Sequence, residues 1–236
     1  MEKTVSVIIP ALNEEEHIQA AVVSVLDALK GTVDDYELLL FNDGSSDKTG
    51  EIFDELAKVN PRIKTVHHKT NQGLGCIARE AYQMASKNYI LWSSGDNSIN
   101  PDSFQSILRS IGQADIIVGY MENDHVRSSQ RRFFSGLFTV FMNMLFCLRL
   151  KYYNGPAAYP VALVKRLNIV SSRYDHFAET LIRAIKLKYT YKEIPFRHNA
   201  KNDRKSKAFS LKNFLSGIRM IAVLLTDIYI RRKPQG

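Results

Sequence analysis

The sequence predicts an α/β fold, in which a mainly parallel sheet is covered by helices on both faces. Short apolar runs alternate with amphipathic helical patterns through the first 120 residues, and this alternation is typical of parallel strands joined by helical crossovers. Several of the apolar runs end in acidic residues, serine and glycine, which is typical of a sheet whose carboxyl edge binds a ligand. A length of 236 residues is that of one ordinary domain of this class.

Five apolar runs are predicted as strands, and the helical patterns between them as their crossovers. The predicted strands cover residues 5–10, 37–41, 63–66, 89–93 and 115–119, and a sixth, alternating strand covers residues 189–194. The predicted helices cover residues 14–30, 47–59, 74–86 and 102–111. Asn13 and Glu16 have the spacing of a capping box, which predicts the start of the first helix.

The second half of the chain carries two long apolar segments. Residues 133–148 hold no charge, but a membrane span needs roughly 17 to 25 such residues, so a helix packed on one side or lying on a membrane surface is favoured. Residues 211–230 are interrupted by Arg219 and Asp227, which favours a helix at the membrane interface. We therefore predict a main domain at 1–210 and a basic, apolar helical segment at 211–236, which could instead pack against a second copy of the chain in a homo-oligomer.

The charge of the chain is concentrated near its C-terminal end. The net charge is +8, and nine basic but only two acidic residues follow position 200. Such a surplus favours phosphate groups or an anionic membrane surface as partners, and the lack of a nucleic-acid-binding motif argues against nucleic acid. The first residues lack the basic start of a signal peptide, and Cys76 and Cys147 form no paired motif. We therefore expect a cytoplasmic protein, peripheral on the cytoplasmic face of a membrane.

Acidic and glycine-containing segments at the predicted strand ends carry the candidate chemistry. Asp43 follows the second strand and could accept a hydrogen bond from a ring N–H of a nucleotide base, or could only organise the turn. Asp96 follows the fourth strand and could hold Mg²⁺ or Mn²⁺ together with a diphosphate. The segment from Asn71 to Gly73 begins the third helix, where backbone N–H groups can face an anion, and Arg79 lies on the first turns of that helix.

These motifs resemble those of glycosyltransferase family 2, which has the GT-A fold, and most of all those of its dolichol- and polyprenyl-phosphate mannosyl- and glucosyltransferases. The resemblance rests on residues 9–14 (IPALNE), 42–49 (NDGSSDKT) and 71–75 (NQGLG), and on later matches at positions 131, 135, 193–195 and 206–207. It implies an inverting, metal-dependent transfer of a hexose from a UDP- or GDP-sugar to a polyprenyl phosphate.

The resemblance also implies roles for individual residues. A phosphate monoester is already ionised near neutral pH, so an acceptor of this kind needs cationic and hydroxyl donors and no general base. Asp96 would bind the metal, and the catalytic residues would be Asp96, Arg131 and Ser135. Together with the glycine-containing segment, the resemblance predicts nucleotide contacts at Pro10, Leu12, Glu14, Asp43, Asn71, Gly73 and Arg79. The predicted acceptor contacts are Arg131, Arg132, Ser135, Glu179, Arg204 and Lys207.

The sequence departs from the family's pattern at four places. Ser94 stands where the metal motif usually has its first aspartate, and Asn42 replaces another aspartate. Residues 119–121 lack an arginine that is common there, and residues 153–158 replace an Asp and a Gly-Phe-Arg. Metal binding could therefore be weaker than in the family, and the acceptor could differ.

Two other functions stay open at this point. One is transfer to a saccharide hydroxyl, which needs a carboxylate base, for which Asp175 or Glu179 would serve. The other is a sugar-nucleotide-binding subunit that has lost catalysis and serves a partner enzyme. Structural roles alone are predicted for the histidines at 67, 68, 125, 176 and 198, because none has a carboxylate at ligand spacing.

Overall fold

The computed structural model describes residues 2–199 and 211–230. Within these residues, seven strands form one sheet in the order β3-β2-β1-β4-β6-β5-β7, and β6 alone among them runs antiparallel to its neighbours. The predicted α/β fold and all six predicted strands are confirmed. The strands are β1 (Thr4–Ala11), β2 (Asp35–Asn42), β3 (Ile63–His67), β4 (Tyr89–Trp92), β5 (Ile116–Met121), β6 (Ala157–Pro160) and β7 (Tyr191–Phe196).

Helices cover both faces of the sheet. In the same described residues they are α1 (Ile18–Leu29), α2 (Thr49–Val59), α3 (Leu74–Met84), α4 (Pro101–Ser110), α5 (Ser129–Phe146), α6 (Val161–Val164), α7 (His176–Lys186) and α8 (Leu211–Leu225), and α8 continues into a π-helical turn, Thr226–Ile230. Buried side chains of α1, α2 and α4 pack on one face, and those of α3 and α5 to α8 pack on the other. Strand side chains alternate between the two, so Ile8 joins one core and its neighbours Val7 and Ile9 join the other.

The first helix begins later than predicted. Helix α1 starts at Ile18 rather than at residue 14, and no side chain caps it, so the predicted capping box of Asn13 and Glu16 is wrong. Asn13 instead has a left-handed φ of 57°, and its Oδ1 accepts the N–H of Ser46 at 2.8 Å. Asparagine tolerates this conformation and bonds readily to backbone outside helices. Residue 13 therefore ties the loop after β1 to the loop after β2.

Strand β6 was not predicted from the sequence, although it fills the gap between β4 and β5. Its four residues, Ala-Ala-Tyr-Pro, show no alternation and include two types that are rare in strands. Ala158 pairs with Leu91 on one side and with Ile117 on the other. The chain can enter this gap because residue 155 is glycine, and a side chain there would collide with the carbonyl of Gly119 in β5.

Helix α5 contains all but the last two residues of the uncharged segment, and much of its apolar surface is exposed. Ser128 caps the helix by accepting the N–H of Arg131, and Met142 and Phe146 are buried in the core. Over residues 2–199 and 211–230, the structure has no helix with the length and apolar character of a membrane span. The exposed apolar side chains form a surface that we call the apolar α5 face: Phe133, Phe134, Leu137, Val140, Phe141 and Met144.

Helix α8 and the turn after it pack against the rest of the protein. Met220 and Leu224 are buried in the same core as α7. An oxygen of Asp227 lies 3.1 Å from Nη1 of Arg183 in α7, and the hydroxyl of Tyr229 donates to a carbonyl of α5 at 3.1 Å. The predicted domain boundary at 210 and the basic residues after 230 lie outside the described residues.

Candidate functional site

The loops after β1 and β2 are joined by hydrogen bonds at the carboxyl edge of the sheet. The N–H of Glu14 donates to the hydroxyl of Thr49 at 2.8 Å, and the N–H of Lys48 donates to the carboxylate of Glu15 at 2.9 Å. Asp47 accepts the N–H of Glu15 at 3.1 Å and that of Thr49, the first residue of α2, at 3.0 Å. These bonds hold the backbone of Glu14 in place. Of the other predicted nucleotide contacts, Pro10 and Leu12 are half-buried at the same edge.

Asp43 joins the loop after β2 to the segment that begins α3. Its buried carboxylate accepts the N–H of Gln72 at 2.8 Å and that of Gly73 at 2.9 Å. The Nδ1 of His68 lies 2.8 Å from the same carboxylate. A carboxylate offers about four lone-pair positions, so three protein contacts leave room for one more donor. The predicted base contact of Asp43 stays a prediction.

His68 supports Asp43 electrostatically. Burial lowers the pKa of His68, but hydrogen bonds to Asp43 and Glu80 outweigh it and raise the pKa above its ordinary value. Nδ1 faces Asp43 and Nε2 lies 3.0 Å from Glu80. The imidazole is therefore a positive partner for Asp43 over a wider pH range than an exposed histidine would be.

The predicted glycine-containing segment is placed at this edge, but Arg79 is turned to protein carbonyls. Gly73 has a left-handed φ of 87°, which only glycine adopts without strain, and Asn71 is exposed. The Nη1 of Arg79 donates to the carbonyls of Ser171 at 2.8 Å and Ile169 at 3.4 Å. Its predicted nucleotide contact is untested, and in this structure it anchors the segment before α7.

Asp96 lies beside the end of β1. The glycine before it packs so closely that a Cβ on Gly95 would lie 2.6 Å from the carbonyl oxygen of Pro10. The Oδ1 of Asp96 accepts the N–H of Ser98 at 3.1 Å and the hydroxyl of Ser94. Ser94, which departs from the family's aspartate, is thus a hydrogen-bond donor to the carboxylate that remains.

His198 is a candidate site residue that the sequence analysis assigned a structural role only. Its backbone pairs with the side chain of Asn123, through bonds of 3.0 and 2.9 Å. Burial lowers the pKa of its ring, the negative charge of Asp96 raises it, and the charges of Arg127 and Arg131 lower it further. An isolated β-bridge between Ile99 and His198 and a bond of 2.8 Å from the N–H of Asn199 to the carbonyl of Ser98 hold this residue beside the loop that carries Asp96. A lone histidine just after β7 carries no spacing signal that could have revealed this.

The donor atoms around Asp96 suit a divalent ion that arrives with its own oxygen ligands. Among residues 2–199 and 211–230, no three His, Cys, Asp or Glu side chains are close enough to hold a metal by themselves. Mg²⁺, however, is commonly held by one or two carboxylates together with substrate phosphates and water. One carboxylate, with Ser94 and His198 nearby, fits an ion shared with a diphosphate better than a preformed protein site.

The predicted acceptor residues Arg132 and Ser135 line a surface cavity of about 250 Å³ beside the first turns of α5. Arg127 and Lys151 line the same cavity, and neither was a predicted site residue. We call this the basic cavity. One acid, Asp124, also lines the cavity and lies 3.5 Å from Arg127. Three cations against one carboxylate leave a positive surplus, which suits an anion with several oxygens.

Arg131 is half-buried next to this cavity. Burial, followed by the positive charge of Arg127, lowers the pKa of its guanidinium. Its charge and that of Asp96 both act on Tyr174, whose pKa is raised chiefly by burial, and on His198. Arg131 and Asp96 therefore influence the same two side chains, although one lies on α5 and the other in the loop after β4.

The remaining predicted acceptor residues are placed differently. Glu179 is fully buried, and its carboxylate accepts the N–H groups of Val170 and Ser171 and the Nε of Arg183. The contacts of Glu179 in this structure are thus with the protein itself, and its contact with an acceptor stays a prediction. Asp175 accepts the hydroxyl of Ser216 at 2.7 Å. Arg204 and Lys207 lie outside the described residues.

The chain is similar to bacterial enzymes of sugar transfer. It is 36% identical over 105 residues to a chondroitin synthase of Pasteurella multocida, which covers 44% of this chain and 10% of that protein. It is 30% identical over 118 residues to an undecaprenyl-phosphate 4-deoxy-4-formamido-L-arabinose transferase of Photorhabdus laumondii, which covers 50% of this chain and 36% of that protein. The chain therefore spans well under half of each relative's own length.

The fold is that of a solved enzyme with a bound nucleotide. Glucosyl-3-phosphoglycerate synthase from Mycobacterium tuberculosis, crystallised with Mn²⁺, UDP and phosphoglyceric acid, superposes with a TM-score of 0.69. The alignment covers 96% of this chain and 79% of that one at 18% sequence identity, so it establishes the fold alone. The family model of glycosyl transferase family 2 matches residues 6–160, which include most of β1, all of β2 to β6 and both loops around Asp43 and Asp96. The chain belongs to glycosyl transferase family 2.

Proposed function

We propose that the protein is an inverting glycosyltransferase, which moves a hexose from a UDP- or GDP-sugar to a polyprenyl phosphate. The observation that carries the proposal is the position of the basic cavity. It opens beside the first turns of α5, the helix that exposes the apolar α5 face. A lipid phosphate joins a multivalent anionic head to an apolar chain, and one helix here offers a surface for each part.

The donor site is proposed at the carboxyl edge, between the loops after β1 and β2 and Asp96. The segment from Asn71 to Gly73 would face the nucleotide, and Asp43 would accept from its base. Family membership supports a nucleotide-sugar donor, and a solved enzyme of the same fold is complexed with UDP. Pro10, Leu12 and Glu14 complete the proposed nucleoside contacts.

A divalent ion, Mg²⁺ or Mn²⁺, is proposed at Asp96. When bound it would neutralise the charge that develops on the leaving nucleoside diphosphate. Asp96 would hold the ion, and the N–H of Ser98 and the hydroxyl of Ser94 orient its carboxylate. Crystals of glucosyl-3-phosphoglycerate synthase, which has this fold, contain Mn²⁺ or Mg²⁺, which supports the proposal.

An ionised phosphate acceptor fits the residues better than a saccharide hydroxyl. A hydroxyl acceptor needs a carboxylate base, and the two candidates have other partners, because Glu179 is buried among backbone N–H groups and Asp175 is bonded to Ser216. A phosphate oxygen needs only to be oriented, for which Arg131, Arg132 and Ser135 are placed on α5. An undecaprenyl-phosphate transferase among the relatives supports this choice.

The apolar α5 face is proposed to lie on a membrane, and the cytoplasmic surface is the proposed side. Two phenylalanines, Phe133 and Phe134, are 67% and 50% exposed, and exposure of neighbouring large apolar side chains usually marks an interaction surface. The positive charge of the chain would favour an anionic leaflet. Arg132, at the same end of the helix, would then meet a phosphate at the membrane surface.

Calorimetric titration of UDP and GDP, each with and without Mn²⁺, tests the donor half of this proposal. We expect one nucleotide to bind, and to bind at least about tenfold more tightly with Mn²⁺, because Asp96 would hold the ion and the ion would offset the charge of the diphosphate. Binding of neither nucleotide would overturn the proposed transferase. Binding without any transfer to a lipid phosphate would favour the alternative of a subunit that has lost catalysis.

The acceptor half is tested with the variants Arg131→Ala and Arg132→Ala. We expect either to lower transfer to a polyprenyl phosphate by about a hundredfold, the size expected when a charged contact to the reacting group is removed, and to leave nucleotide affinity unchanged. Arg166→Ala removes an exposed arginine that lies outside α5 and does not line the basic cavity, and it serves as the matched control. Loss of nucleotide affinity in both arginine variants would contradict the assignment of an acceptor site.

A further inference from the structure

We propose that Glu179 is a positioning residue for the loop from Asn71 to Gly73, which we call the donor loop, and that it links this loop to helix α8. The proposal rests on the proposed function, in that the loop from Asn71 to Gly73 would contact the nucleotide. The inference concerns how that loop is held. The contacts form one continuous path from the C-terminal segment to the carboxyl edge.

The first step of the path is the buried carboxylate of Glu179. It accepts the N–H of Val170 at 3.1 Å and that of Ser171 at 2.8 Å. Glu179 is 0% exposed, so water cannot replace these bonds. Residues 169–172, which have no regular secondary structure, therefore take their conformation from this carboxylate.

The second step is the contact between residues 169–172 and the start of α3. The N–H of Gly75 donates to the carbonyl of Ser172 at 3.2 Å. Gly73 and Gly75 approach the carbonyls of Ser172 and Ser171 so closely that a Cβ on either glycine would collide with them. Arg79 adds its bond of 2.8 Å to the carbonyl of Ser171.

The donor loop is thus held from two sides. On one side the carboxylate of Asp43 accepts the N–H groups of Gln72 and Gly73. On the other side the carbonyls of Ser171 and Ser172 pack against the same turn. Glu179 determines where these carbonyls stand, although it touches neither the loop nor the proposed nucleotide.

The third step connects Glu179 to the C-terminal segment. Arg183, 1% exposed, donates from Nε to Glu179 at 2.8 Å and from Nη1 to Asp227 at 3.1 Å. A buried pair that loses one partner leaves the other as an uncompensated charge. Docking of α8 and the turn after it therefore stabilises the arginine, which in turn orients Glu179. Asp175, the residue just before α7, accepts the hydroxyl of Ser216 in α8 and so forms a second link between α8 and the segment before α7.

The inference is tested by the variant Glu179→Gln in the full chain. A glutamine amide has one acceptor atom, so it cannot receive the N–H groups of Val170 and Ser171 and the Nε of Arg183 as the carboxylate does. We expect the amides of residues 72, 73 and 75 to exchange with deuterium about tenfold faster, and the nucleotide dissociation constant to rise about tenfold. The expected loss is in nucleotide affinity, whereas a Glu179 that only contacted an acceptor would leave both the exchange and the nucleotide affinity unchanged.

Glu37→Gln is the matched control. Glu37 is also a buried carboxylate with several hydrogen bonds, to Ser6, Ser86 and Lys64, but it lies near the amino end of β2. The Glu37→Gln variant should show the same amide exchange at residues 72–75 and the same nucleotide affinity as the wild type. Equal changes in both variants would overturn the inference, because they would reflect general loosening of the core.

A second variant, Asp227→Asn, keeps the test valid if Glu179→Gln does not fold. Asp227 is partly exposed, at 18%, and its replacement should produce the same changes at smaller amplitude. Unchanged exchange at residues 72–75 in every folded variant would overturn the inference. Should wild-type protein bind neither UDP nor GDP, the proposed function fails, whereas the exchange comparison still decides the inference.

Discussion

Replacement of Asp96 with asparagine is expected to lower sugar transfer about a thousandfold and to remove the effect of Mn²⁺ on nucleotide binding. Asparagine keeps the size of the side chain and an oxygen for the N–H of Ser98, so the loop after β4 should keep its shape. It loses the negative charge that would hold a divalent ion against the diphosphate. Loss of a group that stabilises transition-state charge typically costs about 10² to 10³ in rate.

The measurement is the initial rate at saturating nucleotide-sugar, together with nucleotide titrations with and without Mn²⁺. Asp102→Asn is the control, because Asp102 is an exposed acid in the first turn of α4. It should behave as the wild type in both experiments. A Mn²⁺ effect that survives in the Asp96 variant would show that the ion, if used, is held elsewhere.

The second large effect is expected from Asp43→Asn, which should weaken nucleotide binding about a hundredfold and lower the free energy of unfolding by about 1 to 3 kcal/mol. The Asp43 carboxylate now faces the N–H groups of Gln72 and Gly73 and the ring of His68. The NH₂ group of an asparagine would face at least one of these partners and could not accept a hydrogen bond from it. A buried donor without an acceptor carries the full desolvation cost. The loop would lose its attachment, and the proposed base contact would lose its charge.

Nucleotide titration and chemical denaturation measure the two effects separately. Asp54→Asn is the matched control, since Asp54 also pairs with a histidine, His67, but both side chains are largely exposed. Exposed pairs of this kind contribute about 0 to 1 kcal/mol, so the control should change little. An Asp43 variant that is destabilised yet binds nucleotide with full affinity would contradict the proposed nucleotide contact.

The parts of the fold that follow local rules could be predicted from the sequence. Strands β1 to β5 and the helices between them have clear patterns of apolar residues. Each strand buries side chains on both faces of the sheet, and each helix buries one stripe of side chains against it. Strand β6 could not be found this way, since its position is fixed by partners on both sides and by the close approach of Gly155 to Gly119. The capping box failed because Asn13 bonds across to Ser46, a contact 33 residues away in sequence.

The candidate site shows the same division. Asp43 and Asp96 follow strand ends and Gly73 begins α3, and at such positions the sequence alone indicates a ligand edge. His198 and Lys151 reach the site region only through tertiary packing. Glu179 has the spacing of a surface helix residue beside Asp175, and only the structure reveals its burial among the N–H groups of Val170 and Ser171.

The antiparallel strand β6 also has a consequence for the order in which the sheet can assemble during synthesis. Strands β1 to β4 can pair as soon as residues 4–92 have emerged, because each is joined to the next by a local crossover. Strand β5 is made before β6, yet in the described sheet it reaches β4 only through β6. Until residues 157–160 arrive, β4 keeps an open edge, which is a template for pairing with another chain. A ribosome that stalls between residues 121 and 157 would therefore leave a nascent chain prone to aggregation.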